Sequence, residues 1–443
     1  MYINRSIDQE LVKWRAEKKV KPLLVRGARQ VGKSTTIRHL AGQFEYFLEI
    51  NFEEQRQVHK VFDGDLNPLE LCETLSALYN VPIIPGKTLL FFDEIQVCIP
   101  AISALRFFYE KYPELHVIAA GSMLEFALAE VPSFGVGRVR SMFIYPMSFN
   151  EYLDAVGEPG LLSLKTKASI EKPIPLPVHS KLLQHLKRFL VLGGMPEVVA
   201  TYIESKDLVR CGRILDDLVT SLKADFVKYK RHVPFLRIAE VFDSVIRQAG
   251  GKFIYSKAAV ESNYKQIKEA VDLLAMGGLV IPVTHTAANG IPLGAEINPK
   301  NRKLLLLDTG IFQRLLQLNI GELLSETDFD AINKGAIAEQ YAGLELLKAA
   351  SRYKQEELFY WHREAKNSNA EVDYVVQKSE QIIPIEIKSG QKGSMRSMNI
   401  FLEEKNAPYG VRCSLENYSK YENILVIPLY AIGDWYQSSA HSI

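Results

Sequence analysis

Cysteine is scarce in this 443-residue sequence, and the few cysteines present follow no recognisable pattern. The four of them lie far apart without a CxxC pair, and the nine histidines form no HxxxH-type spacing. A disulfide framework or a zinc site therefore has little support from spacing. A reduced, cytoplasmic setting is the expectation that follows.

Long apolar runs are missing as well. The most apolar stretches are short or interrupted, one of them by Glu125. The first residues, MYINRSIDQELVKWRAEKK, are amphipathic and charged and do not resemble a signal peptide. We therefore expect no segment that spans a membrane.

Neither sign of charge is in excess, because 53 lysines and arginines face 52 aspartates and glutamates, a formal net charge of +1. The molecule as a whole thus has no field that attracts nucleic acid or an anionic membrane, and any DNA contact must come from local patches. Hydrophobic residues make up 47% of the chain and charged residues 24%, which is ordinary for a globular protein. At about 150 residues per domain, the length predicts about three domains.

Apolar runs alternate with helical stretches in the first third of the chain: PLLVRG, YFLEINF, KTLLFFDE, HVIAAGS and SMFIYP. This alternation predicts a parallel sheet with helices on both faces in a domain over residues 1–155. Prolines then accumulate and the periodicity is lost, so residues 156–232 are predicted to be a proline-rich linker and a helical segment. Two helices and two β-rich runs around Asn289-Gly290 predict a winged-helix domain over residues 233–325. One helix and several strands predict a small α/β domain over residues 326–443.

A phosphate-binding motif, GARQVGKS, occupies residues 27–34 between an apolar strand and a helical stretch. Glycines 27 and 32 permit a tight loop whose backbone N–H groups converge on phosphate oxygens at the positive end of the following helix. Lys33 is predicted to reach the β- and γ-phosphates of ATP, and the Ser34 hydroxyl to ligate Mg²⁺. The predicted nucleotide-binding residues are Gly27, Ala28, Arg29, Gln30, Val31, Gly32, Lys33, Ser34, Thr35 and Asp93.

Acidic and hydroxyl side chains follow two further apolar strands. LLFFDE ends in Asp93, predicted to help hold Mg²⁺, and Glu94, predicted to orient or activate the attacking water. HVIAAGS ends in Ser122, which would contact the γ-phosphate or the water if its strand lies between the other two; a serine after glycine is equally a turn residue. Arg138 is a candidate arginine finger, in cis or toward a neighbouring subunit, although solvated basic loops are common.

These motifs, with GRVRSMFIYPMSFNEYL, LLVLGGMPEVV, LLLLDTGI, GAIAEQYAGLELL, LFYWHR, EVDYVV and PIEIKS, resemble a known architecture along nearly the whole chain. It is that of the bacterial and archaeal AAA-type ATP-binding proteins that carry a C-terminal domain of unknown function. The resemblance implies a multidomain α/β protein: an ASCE-type P-loop ATPase, a winged-helix segment and a C-terminal fold similar to PD-(D/E)xK nucleases.

The C-terminal candidate site is similar to the PD-(D/E)xK pattern, in which carboxylates bind Mg²⁺ and a lysine positions a metal-activated water. Alternation in PIEIKS places Glu386 and Lys388 on one strand face, Asp373 lies on the preceding strand, and Glu339 lies on the helix before both. Val372 stands where the pattern's name has proline. The alternative is an amphipathic edge hairpin with solvated charges.

The winged-helix segment offers a candidate DNA contact. Its basic and aromatic residues are Tyr264, Lys265 and Lys268 on a predicted helix, and Lys300, Arg302 and Lys303 near the wing. Winged helices also bind proteins, so the sequence leaves both DNA and protein as candidate partners of this segment.

Two functions follow from these expectations. The first is a Mg²⁺-dependent ATPase that regulates a DNA-processing nuclease-like domain; the alternative is an ATP-driven switch whose C-terminal domain binds DNA or protein without cutting. A finger donated in trans would require a homo-oligomer.

Overall fold

The computed structural model describes residues 2–131, 135, 137–226, 233–259, 262–318, 334–364, 370–388 and 395–438. Its strands are β1 (Leu23–Arg26), β2 (Tyr46–Asn51), β3 (Thr88–Asp93), β4 (His116–Ala120), β5 (Arg140–Phe143), β6 (Val280–Thr286), β7 (Ile297–Leu306), β8 (Leu358–His362), β9 (Glu371–Lys378), β10 (Gln381–Ile387), β11 (Gly410–Ser414), β12 (Ser419–Tyr421) and β13 (Ile424–Pro428). Its α-helices are α1 (Ile7–Arg15), α2 (Lys33–Ala41), α3 (Pro68–Tyr79), α4 (Ile99–Lys111), α5 (Leu124–Glu130), α6 (Phe149–Ala155), α7 (Pro159–Thr166), α8 (Leu176–Leu192), α9 (Pro196–Ser205), α10 (Leu208–Ala224), α11 (Phe235–Arg247), α12 (Tyr264–Met276), α13 (Thr309–Leu315), α14 (Lys334–Ala349), α15 (Arg396–Lys405) and α16 (Ile432–Gln437).

The chain divides into two compact units. The first comprises Met1–Pro146, Met276–Gly278 and Ser351–Gln355, and the second comprises Met147–Ala275, Leu279–Ala350 and Glu356–Ile443. Within the described residues, no helix has both the length and the apolar character needed to cross a membrane.

The first unit is built on a five-stranded parallel sheet in the order β2-β3-β4-β1-β5. Every residue of β3 and β4 is buried, as expected for parallel strands whose two faces are covered. The five apolar runs that predicted this sheet are all present as strands, so the predicted parallel α/β domain is confirmed. The order of strands in the sheet also puts β4 between β1 and β3, which is the arrangement on which the predicted role of Ser122 depends.

Two glycines shape the loop that joins β1 to α2. Gly32 has a left-handed backbone, with φ of 94°, directly before the first residue of α2. Gly27 has φ of +149°, and a Cβ atom there would lie 2.2 Å from the carbonyl oxygen of Ile144. Because only glycine combines this conformation with so close a backbone contact, the loop geometry depends on both positions.

The second unit begins with helices, including one that sequence periodicity did not reveal. The proline-rich stretch expected to be an irregular linker contains α7, which starts at Pro159. Proline at a first helical position costs no hydrogen bond, because the N–H it lacks has no partner inside the helix. Prolines therefore mark the start of this helix rather than a break in structure.

The second unit also contains an eight-stranded mixed sheet, in the order β12-β13-β11-β10-β9-β8-β6-β7. The helices α11 and α12 and the hairpin β6–β7 follow one another as the winged-helix pattern predicts. However, β6 also pairs in parallel with β8, so the hairpin is continuous with the C-terminal strands. The winged-helix assignment and the boundary at residue 325, which lies outside the described residues, stay predictions.

We expect Gly27→Ala to lower the free energy of unfolding by about 1–3 kcal/mol or more, because the new Cβ would force both a disfavoured φ and a clash with the Ile144 carbonyl. Urea unfolding followed by circular dichroism measures the change. Gly64→Ala is the matched control, since nothing lies within 4 Å of its added Cβ. Equal stability of the two variants would contradict the proposed backbone constraint.

Candidate functional site

Lys33, the first residue of α2, turns back over the loop that precedes it. Its Nζ donates hydrogen bonds to the carbonyl oxygens of Gly27, at 2.9 Å, and Ala28, at 2.7 Å. Burial lowers the pKa of Lys33 to about 8, against the opposing charges of Glu94 and Asp93. The two carbonyl acceptors carry no full negative charge, so a phosphate oxygen would be a far better partner for this buried ammonium. These residues therefore fit a nucleotide phosphate.

Ser34 and Asp93 meet although they are far apart in sequence. The Ser34 hydroxyl donates to Oδ2 of Asp93 at 2.9 Å, and the backbone N–H of Glu94 donates to Oδ1 of the same carboxylate at 3.0 Å. Burial is the main cause of the raised pKa of Asp93. A cation would lower it, and hydroxyl and carboxylate oxygens are the ligands that Mg²⁺ prefers. The donor set thus fits Mg²⁺ bound together with nucleotide phosphates.

Glu94 follows β3 with a left-handed backbone, φ 49°. Its Oε2 accepts a hydrogen bond from Nε2 of Gln96 at 2.5 Å. The Gln96 Oε1 atom is buried and has no hydrogen-bond partner among the described residues, and a Cβ on Gly121 would lie 2.0 Å from it. Gln96 therefore orients Glu94 from beside the end of β4. Sequence reasoning missed it; the only local signal was a glutamine two residues after the Asp-Glu pair.

Ser122 lies at the edge of the sheet that also carries the phosphate loop. Its Oγ accepts a hydrogen bond from Nε of Arg29 at 3.1 Å, which joins the loop to the end of β4. Because β4 lies between β1 and β3, Ser122 stands between the loop and the acidic strand end. Its contact with a γ-phosphate stays a prediction.

Arg138 lies at the opposite edge of the sheet. It precedes β5, whose residue Arg140 pairs with Leu23 at the start of β1, whereas the phosphate loop follows the end of β1. Its guanidinium forms an ion pair with Glu110, beside a cavity of about 510 Å³. An arginine finger in cis therefore does not agree with this geometry, because the parallel strands separate Arg138 from its own phosphate loop. A finger in trans stays a prediction.

The second unit brings together all four residues of the C-terminal candidate site. Oδ2 of Asp373 accepts a hydrogen bond from the backbone N–H of Ile387 at 2.8 Å, which joins β9 to β10. Lys388 Nζ donates to Oε1 of Glu386 at 2.6 Å. Glu386 Oε2 is buried without a hydrogen-bond partner in the described part of the chain. Burial and the charge of Asp373 raise the pKa of Glu386 to about 7.

A fifth residue, Lys303 of β7, lies among these carboxylates. Its Nζ is 2.8 Å from Oε1 of Glu339, 2.6 Å from Oε1 of Glu371 and 3.3 Å from Oδ1 of Asp373. Burial alone would lower the pKa of Lys303, but the surrounding carboxylates raise it well above its ordinary value. Burial in turn raises the pKa of Glu339 to about 7. The carboxylate oxygens fit Mg²⁺, yet a lysine ammonium neutralises part of the same cluster.

This placement corrects the expectation that Lys303 contacts DNA phosphates. The side chain is 3% exposed and its ammonium is engaged by carboxylates. Arg302 and Lys268 also have an acidic partner, since both form ion pairs with Asp272, at 2.9 and 3.1 Å. Three of the predicted contact residues remain on the surface: Tyr264, Lys265 and Lys300.

Comparison with known proteins divides the chain into three regions. Residues 19–153 match the family model described as AAA domain. Residues 183–321 match "Domain of unknown function (DUF8612)", and residues 334–432 match "Domain of unknown function (DUF4143)". No protein with a curated description matches the sequence.

Two solved archaeal structures are similar to the chain. One is a Walker-type ATPase of Pyrococcus abyssi, with 14% identity and a TM-score of 0.46 over 72% of this chain and 96% of that one. The other is a signal transduction ATPase with numerous domains and a tetratricopeptide repeat sensor from Pyrococcus horikoshii, with 10% identity and a TM-score of 0.29 over 79% of this chain and 46% of that one.

The sheet order, the phosphate loop and the family match together define the N-terminal region as an AAA-type P-loop ATPase domain. That prediction is confirmed, and so is the presence of a C-terminal domain of unknown function. The nuclease-like and winged-helix assignments stay predictions.

We expect Lys303→Met to destabilise the protein by about 3–5 kcal/mol near neutral pH, because it leaves buried carboxylates without their counter-charge. Protonation relieves their repulsion, so the loss should be smaller at about pH 5 than at about pH 8. Millimolar Mg²⁺ should stabilise the variant more than the wild type in urea unfolding. Lys300→Met, at an exposed position of the same strand, is the control. A Lys303→Met protein with wild-type stability would exclude this role for the ammonium.

Proposed function

We propose that the chain is a Mg²⁺-dependent ATPase whose nucleotide state regulates a C-terminal nuclease-like domain that processes DNA. The observation that supports the first part best is the 2.9 Å hydrogen bond between Ser34 and Asp93. It joins a phosphate-loop hydroxyl to the carboxylate at the end of the acidic strand, the two groups that hold Mg²⁺ in P-loop ATPases.

In the proposed hydrolysis, Lys33 and the loop N–H groups neutralise charge on the β- and γ-phosphates. Ser34 and Asp93 would hold Mg²⁺, and the ion, when bound, would neutralise further charge on the nucleotide phosphates. Glu94, oriented by Gln96, accepts the proton of the attacking water or aligns it. An Arg138 finger would come from a second copy of the chain, which makes a homo-oligomer part of this proposal.

Two variants separate nucleotide binding from turnover. Lys33→Ala should lower ATP turnover by at least about 100-fold and weaken ATP binding, because the phosphates lose their buried cation. Glu94→Gln should bind ATP normally and lose about 10²–10⁴-fold in turnover, because the glutamine cannot take the proton. Phosphate release and fluorescent-nucleotide binding measure the two properties.

The exposed residues Lys60 and Glu53 of the same unit supply the matched controls, Lys60→Ala and Glu53→Gln. Turnover that survived Lys33→Ala would refute the assignment of the phosphate site. Full ATP turnover in Glu94→Gln would show that a residue other than Glu94 activates the attacking water.

At the proposed nuclease site, Glu339, Asp373 and Glu386 would hold Mg²⁺, and Lys388 would position the water that attacks a phosphodiester. The contact between Lys388 and Glu386 and the unpartnered Glu386 oxygen support this assignment. Exposed residues of α12 and β7, such as Lys265 and Lys300, are proposed DNA contacts.

One observation favours a second candidate, a nucleotide-driven switch that binds DNA or protein without cutting. The Lys303 ammonium forms ion pairs with Glu339, Glu371 and Asp373. It therefore supplies positive charge that a bound metal ion would supply in a nuclease.

A DNA assay distinguishes the two candidates. Linear and supercoiled DNA are incubated with the protein and Mg²⁺ or Mn²⁺, with and without ATP. Nicking that disappears in Lys388→Ala but persists in Lys420→Ala, an exposed position of the same sheet, supports the nuclease. Intact DNA together with DNA-stimulated ATP turnover supports a switch that binds DNA. Neither activity in an ATP-hydrolysing protein contradicts the nuclease and the DNA-binding switch, and favours a switch that binds protein.

A further inference from the structure

Two histidines and a glutamate, none of them among the site residues described above, converge on one end of the β6–β8 strand pair. His285 lies on β6, His362 is the last residue of β8, and Glu364 follows two residues later. The three residues each present a ligand atom, and these atoms all lie within 4.8 Å of one another. The strands are parallel neighbours, with His285 beside Tyr360, so their pairing brings the three side chains together.

The hydrogen bonding of His285 leaves one ring nitrogen free to act as a ligand. Its Nε2 lies 3.2 Å from the carbonyl oxygen of His362, an acceptor, so Nε2 carries the proton. The Nδ1 atom is then unprotonated, and it lies 3.8 Å from Oε1 of Glu364. An N–H bonded to a backbone carbonyl, with the other ring nitrogen free, is the arrangement typical of metal-binding histidines.

Both histidines have an unpartnered Nδ1 atom. In His285 and His362 this atom is buried and has no hydrogen-bond partner among the described residues. His285 is only 2% exposed, so water does not reach most of its ring. A buried polar atom without a partner costs about 1–3 kcal/mol. Two such atoms at one point indicate a missing ligand better than they indicate ordinary core packing.

The strands are irregular next to this point. The pairing of β6 with β7 shifts register between Thr284 and His285, and that of β8 with β9 shifts between Phe359 and Trp361. Bulges of this kind re-aim side chains and are frequent beside functional sites. One register shift thus lies directly before His285, and the other lies within β8 just before Trp361 and His362.

We propose that His285, His362 and Glu364 bind one divalent first-row transition ion of the Zn²⁺ type. Four-coordinate bonds of about 2.0–2.2 Å place the ligand atoms of one ion about 3.3–3.6 Å apart. The 3.8 Å between Nδ1 of His285 and Oε1 of Glu364 therefore requires a small side-chain adjustment. The site is independent of the proposed ATPase and nuclease functions.

The donor set decides the kind of ion. Two imidazoles and one carboxylate suit Zn²⁺, Co²⁺, Ni²⁺ or Fe²⁺, whereas Mg²⁺ and Ca²⁺ prefer oxygen ligands alone. The nearby carboxylate of Glu371 favours a cation electrostatically, and the nearby ammonium of Lys252 opposes it.

Three protein ligands leave a coordination position for water. The Glu364 side chain is 59% exposed while His285 is buried, so the open position faces solvent. A site with this open geometry belongs to the class that binds an exchangeable fourth ligand, and it also ties β6 to β8.

Titration of the untagged, nucleotide-free protein with Co²⁺ tests the proposal. In excess Mg²⁺, which occupies the proposed oxygen-ligand sites, we expect one Co²⁺ per chain with visible d–d absorption that Zn²⁺ displaces. X-ray absorption of the Zn²⁺ form should show imidazole nitrogen ligands and no sulfur, because the four cysteines are not part of the cluster.

Glu364→Gln and His362→Asn should each weaken binding by at least about tenfold. Glu380→Gln, at an exposed position of the same unit, is the matched control and should bind as the wild type does. Because Glu364 is exposed, its variant should fold normally even if a change at buried His285 does not. Absence of Co²⁺ binding, or an unchanged Co²⁺ affinity and spectrum in both variants, would overturn the proposal.

Discussion

The nucleotide site depends on the parallel alignment of β1, β4 and β3. Their carboxyl ends lie at one edge of the sheet. This alignment alone places the phosphate loop, Ser122 and the Asp93-Glu94 pair next to one another. The same alignment separates Arg138 from the phosphate loop of its own chain, because Arg138 precedes β5 and lies at the other edge of the sheet. Strand direction thus decides which polar residues of this unit can act on one substrate.

The second constraint is the need to compensate a buried charge, and each unit compensates its buried lysine in a different way. In the first unit, the ammonium of Lys33 donates only to backbone carbonyls, and burial lowers its pKa. An anionic ligand would therefore stabilise its charged form. In the second unit, Lys303 is just as buried but lies among carboxylates, which raise its pKa. Lys33 can therefore bind an anionic ligand, whereas the ammonium of Lys303 is already neutralised by carboxylates of the chain.

The N-terminal fold and site could be predicted because their signals are local. A contiguous loop motif and apolar runs ending in polar residues identify the strands and the edge at which they meet. Alternation likewise put Glu386 and Lys388 on one strand face. Lys303 could not be predicted in this way, because its partners Glu339 and Asp373 follow 36 and 70 residues later and depend on pairing across the sheet. With its neighbours Lys300 and Arg302, it was instead predicted to contact DNA phosphates.

The same reasoning explains why histidine spacing was uninformative. HxxxH-type patterns detect ligands on one helix, whereas His285 and His362 lie 77 residues apart and meet only through the parallel pairing of β6 with β8. That pairing also joins the hairpin to the C-terminal strands, so it determines both the extent of the sheet and the histidine cluster. Parallel neighbours require long connections, and long connections remove the short spacings by which motifs are recognised. In this chain, sequence spacing therefore overlooked Lys303 and the two histidines because strands distant in sequence bring them to their partners.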